Sequence, residues 1–132
     1  MKTLQHNPQS DSATGEDRRP RFGIGHMSIT AADVDTMTNF YTTIGMRLVV
    51  NMGRMSIVEL RGGTHLIIQA GEPGVATLDL IVDDIDETRT VLEAQGASPS
   101  AIQRGNPHDR FVATDPERNT LVVNSNHAIG VV

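Results

Sequence analysis

What most constrains this chain is a restart: one order of local signals runs from Phe22 to Gln69 and begins again at Ala76. In the first round, Phe22 to Thr30 is strand-like and Asp33 stands where it can cap a helix beginning at Val34. Val34, Met37, Tyr41 and Ile44 recur at helical spacing, and Gly45 follows where a helix can end left-handed. Three short strands are expected next, Met46–Val50, Met55–Leu60 and Thr64–Gln69, closed by Met52-Gly53, Gly62-Gly63 and Gly71. In the second round Ala76–Val82 is a strand and Asp83-Asp84 precede a helix. That helix carries Ile85, Thr88, Val91, Leu92 and Gln95 on one face, and Gly96 closes it. Strands are expected at about 97–103, 110–114 and 119–124.

The two rounds overlay without gaps at a spacing of 51 residues through the helices. That spacing puts Ile29 on Leu80, Asp33 on Asp84, Val34 on Ile85, Phe40 on Val91 and Gly45 on Gly96. The last strands overlay at a spacing of 55, with Leu66 on Leu121 and Gln69 on Asn124, so four residues are inserted before the second hairpin. Identities are few, but caps, helix stripe, closing glycine and strand parity are independent signals of one repeat. The expectation is an α+β fold of two tandem β-α-β-β-β modules, residues 22–71 and 76–126, in one structural domain. A β-α-β-β-α-β arrangement would have two strands between its helices, where this sequence has three plus the strand starting at Ala76.

Side chains alternate along a strand, so parity assigns faces. The more apolar parity belongs beneath the helices: Met27 and Ile29, Leu66 and Ile68, Leu78, Leu80 and Val82, Leu121 and Val123. The other parity presents Ile24, His26 and Ser28, then His65, Ile67 and Gln69, then Thr77 and Asp79, and finally Val122 and Asn124. This mixture of polar and apolar groups suits a ligand cleft better than a dry core.

Composition removes several alternatives. The chain has no cysteine, which excludes disulfides, thiolate metal sites and cysteine nucleophiles and fits a cytoplasmic setting. A net charge of −5, one tyrosine, three phenylalanines and no tryptophan leave neither a basic stripe nor stacking aromatics, so nucleic acid is not expected as a partner. No apolar run approaches membrane-spanning length, so no membrane partner is expected. Residues 1–21 have Met1, Leu4 and Ala13 as almost their only apolar side chains and read as a flexible polar arm. No phosphate-binding glycine loop and no serine-nucleophile elbow is present.

Gly25-His26-Met27-Ser28-Ile29, Asp33-Val34-Asp35 and Asn39 to Met46 resemble the vicinal oxygen chelate superfamily. That superfamily groups glyoxalase I, bleomycin- and fosfomycin-resistance proteins and extradiol dioxygenases. Val82-Asp83-Asp84-Ile85-Asp86 opens the second module in the same manner. Asp115-Pro116-Glu117-Arg118-Asn119 is similar to the family's last turn, with Arg118 in place of a glycine. The resemblance covers about Phe22 to Asn126. It implies paired modules in a half-open barrel, helices outside, around a ligand or metal. It also implies four ligand places on the first and fourth strands of each module, which fall here on His26, Ile67, Thr77 and Val122. Only the first is a good donor, so no metal or other cofactor is expected, with a divalent ion as the alternative.

His26 is open to two readings, an imidazole bonded to a neighbouring strand or to Ser28, or a ligand-contacting general base. Asp79 is the other candidate catalytic group, and His26, His65 and Asp79 are the metal set if there is one. An inward carboxylate is costly unless paired, so Asp79 should meet a histidine or an arginine such as Arg110. Gln69 and Asn124 are equivalent amides that could read a polar ligand or bond backbone. The acidic run Asp83, Asp84, Asp86 and Glu87 suits a helix start better than a metal, and His108-Asp109-Arg110 reads as a solvated polar turn. Two functions follow. One is a metal-free protein binding a small organic molecule in the cleft between the modules. The other is an enzyme: a metal-dependent lyase, isomerase or dioxygenase using His26 with substitute ligands, or a metal-free acid/base catalyst using His26 and Asp79. A homodimer is expected, because a half-open sheet leaves edges and an apolar cleft to cover.

Overall fold

Each helix starts where a carboxylate can replace the missing turn. Asp33 accepts from Thr36 N and Asp84 from Glu87 N, both at 2.9 Å, satisfying amides that have no partner inside the helix. Both helices end at glycines with positive φ, Gly45 at 130° and Gly96 at 75°. The computed structural model describes residues 16–105 and 108–126. The expected arm lies mostly outside them.

The order is β1 (His26–Ala31), α1 (Val34–Ile44), β2 (Arg47–Asn51), β3 (Met55–Glu59), a 3₁₀ turn (Arg61–Gly63), β4 (His65–Ala70), β5 (Thr77–Val82), α2 (Ile85–Ala94), β6 (Arg110–Thr114) and β7 (Thr120–Ser125). A four-stranded sheet runs β1-β4-β3-β2 and a three-stranded sheet β5-β7-β6, with β1–β4 and β5–β7 parallel and the other pairs antiparallel. The two sheets do not close into a barrel. They are equivalent β-α-β-β-β modules with one irregular strand.

That strand is residues 97–103. Thr114 N, Ser100 N and Gln103 N still donate to Ala97, Val112 and Arg110 carbonyls, so the segment follows β6. Ser98 sits at φ 50° and Pro99 has no N–H, so an unbroken ladder cannot form and only the Gln103–Arg110 bridge remains. The first strand is also shorter than expected. Phe22 to Gly25 stays outside the sheet, with Phe22 88% and Ile24 68% exposed, although Gly25 O accepts from His65 N.

Burial follows the apolar parity. Ile29, Leu66, Ile68, Leu78, Leu121 and Val123 are buried beneath the helices, and Met27, Leu80 and Val82 pack against them. On α1 the buried stripe is Val34, Met37, Phe40 and Tyr41. Met37→Ala there should cost about 2–5 kcal/mol, because a packed site collapses only partly. One polar pair lies under this helix. The Thr38 hydroxyl donates to Val34 O at 2.6 Å, so the buried Ser56 hydroxyl donates to Thr38 at 2.6 Å.

Specific bonds join the modules. The Glu117 carboxylate accepts from Ala32 N and Asp33 N, both at 2.8 Å. The Tyr41 hydroxyl donates to Asp115 Oδ2 at 2.6 Å. Arg61, just before β4, reaches both oxygens of Asp83, just after β5, at 3.1 Å. These contacts put the start of β1 beside the end of β5, and the end of β1 beside the start of β7. The modules are therefore related by a pseudo-twofold.

Candidate functional site

The helix-free faces of the two sheets are built in rows, because register sets which side chains stand abreast. In the first module one row crosses all four strands as Arg47, Glu59, His65 and His26. The next row is Val50, Ile57, Ile67 and Ser28, and the third is Met55, Gln69 and Thr30. The equivalent rows of the second module are Thr114, Thr120 and Thr77, then Val112, Val122 and Asp79, then Arg110, Asn124 and Ile81. Each middle row carries paired apolar side chains, Ile57 and Ile67 in the first sheet and Val112 and Val122 in the second. The first module gathers its ionisable groups in one row, whereas the second has them singly, Asp79 in the middle row and Arg110 in the last.

That charged row is connected by hydrogen bonds. Arg47 Nη2 bonds Glu59 Oε2, and Glu59 Oε1 lies 3.0 Å from His65 Nε2. First His65 and then Arg47 hold the Glu59 carboxyl below the usual carboxylate range. His26 completes the row with its ring centroid 5.9 Å from that of His65, tilted at 41°. Among the described residues the His26 imidazole forms no hydrogen bond to Ser28 or to a neighbouring strand, and the residue is exposed.

The other expected site residues divide between the two faces. Ser28, Ile67 and Gln69 share the first face with the histidines, and Ile24 lies just before it. Thr77, Asp79, Val122 and Asn124 share the second. Asp79 does not turn to a histidine or to Arg110. Asn124 Nδ2 donates to its Oδ1 at 2.7 Å and to Leu80 O at 3.1 Å. This amide therefore supports its own strand pair, whereas Gln69 is exposed. The acidic run caps and pairs: Asp84 caps α2, Asp83 meets Arg61 and Asn126, and Asp86 meets Arg104 at 2.7 Å.

Glu59 and Arg47 were not among the residues singled out from sequence. Parity could have found Glu59, since it alternates with Met55 and Ile57 and pairs with His65 across a short turn.

The donor set does not fit a metal ion. Of the four family places, Ile67 and Val122 carry hydrocarbon, Thr77 a weak hydroxyl, and His26 one imidazole. Of the substitutes, Asp79 lies in the other sheet and is held by Asn124, while His65 bonds Glu59 through Nε2. Among the described residues no group of three or more His, Asp or Glu side chains could hold an ion. A hollow of about 190 Å³ at the junction of the modules is lined by Ser28, Thr30, Gln69, Val75 and Asn119 among others, and another of about 240 Å³ lies beside Phe40 and Pro116.

No curated protein sequence matches the chain significantly. Solved structures with the same fold include lactoylglutathione lyase from Agrobacterium tumefaciens, at 20% identity and TM-score 0.69, covering 83% of this chain and 97% of that one. TnmS3, an antibiotic binding protein from Streptomyces sp. CB03234, aligns at 22% identity and TM-score 0.71, covering 82% and 98%. Oxidase ChaP-H2 aligns at 16% identity and TM-score 0.71, covering 81% and 95%. At these identities the structures speak for the fold alone. The family model described as a glyoxalase-like domain matches residues 26–124, from the first residue of β1 into β7. The chain belongs to the glyoxalase-like domain family of the vicinal oxygen chelate superfamily.

Proposed function

We propose that this protein binds a small organic molecule against the open faces of its modules without a metal ion. The observation that carries this reading is the chemistry of the four family places, where three of four side chains cannot replace the water of a divalent ion. Paired apolar side chains in each middle row, flanked by a few polar groups, are what a binding cleft needs. That TnmS3 is an antibiotic binding protein adds support by analogy of fold. The metal-dependent alternative requires His26, His65 and Asp79 together, and Asp79 stands in the other sheet, bonded to Asn124.

The two hollows described above fall short of the roughly 300–1,000 Å³ of ordinary ligand pockets. We propose that a second copy covers the open face, giving a homodimer. Leu48, Val49, Val50, Met52, Ile81 and Val112 are exposed, and β2 is a free sheet edge. Among the described residues no helix is long and apolar enough to cross a membrane. The cysteine-free sequence is compatible with the reducing cytoplasm in which we propose it works.

A thermal-shift screen of the full chain tests the reading, since whatever binds the native state stabilises it. At least one class of small organic molecule should raise the melting temperature equally with and without a chelator. Stabilisation by divalent ions alone, abolished by chelator, would contradict it.

A further inference from the structure

The row Arg47–Glu59–His65–His26 has a chemical direction. His65 Nε2 lies 3.0 Å from Glu59 Oε1, and a carboxylate only accepts hydrogen bonds, so Nε2 carries the proton and donates it. A neutral imidazole has one donor and one acceptor, which leaves Nδ1 as an acceptor. Among the described residues nothing donates to it, and neither ring nitrogen of His26 is bonded. The tautomer is held from behind, because Arg47 bonds the other oxygen of Glu59. Two residues further along the strands, about 7 Å away, Ile57 and Ile67 offer an apolar floor. The second module has no counterpart, since threonines stand at all three equivalent positions.

We infer that the His26–His65 end of this face anchors a ligand hydroxyl that donates a hydrogen bond, a phenol or enol on a flat apolar skeleton. Glu59 and Arg47 are positioning residues that keep His65 Nδ1 free to accept. The inference rests on the cleft-binding reading and adds the chemical class of the ligand. A hydroxyl fits where an ether does not, because an ether has no proton to offer Nδ1. An acidic hydroxyl fits better than an alcohol, because Glu59 stabilises the positive charge that builds on the ring as the proton is shared.

The test is calorimetric titration of the full chain at neutral pH with 4-methylphenol, which keeps its proton there, and with its methyl ether, 4-methylanisole, each followed by NMR of the histidine rings and backbone amides. The phenol should bind about tenfold more tightly than the ether, the worth of one hydrogen bond, and should shift the His65 ring signals. Glu59→Ala should remove that preference. Glu59→Gln should lose most of it too, because the amide has one acceptor oxygen for the two donors Arg47 and His65 Nε2, and an amide NH2 turned to Nε2 reverses the His65 tautomer, a change in ring nitrogen shifts that general destabilisation would not produce. Thermal melts confirm that each variant is folded, and the comparison of probes on the unaltered chain needs no variant. Equal affinity for the two probes, with both shifting Ser28 and Ile67, would overturn the hydroxyl anchor and leave the cleft standing. Neither probe shifting any signal on this face would overturn both.

Discussion

Replacing Tyr41 by phenylalanine removes one oxygen from the bond that ties the first helix to the last turn. The hydroxyl donates at 2.6 Å to Asp115 Oδ2, with tyrosine fully buried and aspartate 5% exposed. A hydrogen bond to a charged group contributes about 1.5–3 kcal/mol, and the carboxylate cannot turn to water when its donor is lost. Asp115 keeps three other donors, Glu117 N and Asn119 N at 2.9 Å and Asn119 Nδ2 at 2.7 Å. The loss should therefore fall low in that range, about 2 kcal/mol. For a domain of this size that lowers the melting temperature by roughly 6–10 °C. Urea denaturation should show a lower midpoint with an unchanged slope, because the surface exposed on unfolding is the same. A loss below about 0.5 kcal/mol would mean that Tyr41 and Asp115 do not form a buried hydrogen bond. The same bond has an optical signature. Burial, then Asp115, pushes the phenol far above its ordinary value. A raised native pKa contributes stability that is complete below the unfolded value of about 10 and declines as pH rises beyond it. Tyr41 is the only tyrosine in the chain, so tyrosinate absorbance should appear only with alkaline unfolding.

Arg118 holds φ 72° where the family turn carries glycine, so Arg118→Gly should stabilise by about 0.5 kcal/mol, the relief of a left-handed side chain less the extra freedom of the unfolded chain. Urea melts check the sign. Glu117→Ala leaves two exposed amides at the approach to α1 to water and should cost about 1 kcal/mol, read from the urea midpoint. The depressed Glu59 carboxyl contributes stability that is present above the ordinary glutamate range and lost as pH falls through its lowered native value. Glu59→Gln should therefore flatten the acid limb of the stability profile below about pH 4.5. An unchanged limb would show that the row contributes nothing to the fold. Light scattering should report a dimer at micromolar concentration, and a monomer would remove the proposal that a second copy covers the open face.

The repeat was legible because each module states it in several independent ways. Asp33 and Asp84 cap, Gly45 and Gly96 turn left-handed, and the parity of Leu66-Ile68 and Leu121-Val123 sorts core from cleft. Residues 97–103 were harder to read. Their backbone bonds to β6 exist, but Ser98 and Pro99 interrupt the extended geometry, so strand-like neighbours do not make a regular strand. The site was less legible than the fold for a related reason. On β3 the helix side carries the buried Ser56, while the open side carries Met55 and Ile57. Apolarity alone therefore misassigns that strand, and with it Glu59. Arg47 and Glu59 gain meaning only from a register that aligns them with His65, a nonlocal fact. His26 and His65 were found by parity, but the engagement of Asp79 by Asn124 depends on which strand-end side chain reaches first.

Elemental analysis of the purified full chain measures directly whether the cleft works without a metal. The prediction is no stoichiometric zinc, nickel, iron or manganese, with melting temperature indifferent to chelator. About one such ion per chain, lost in His26→Ala, would contradict it, because a tight catalytic site normally takes three or more protein donors and they would then have to include His26.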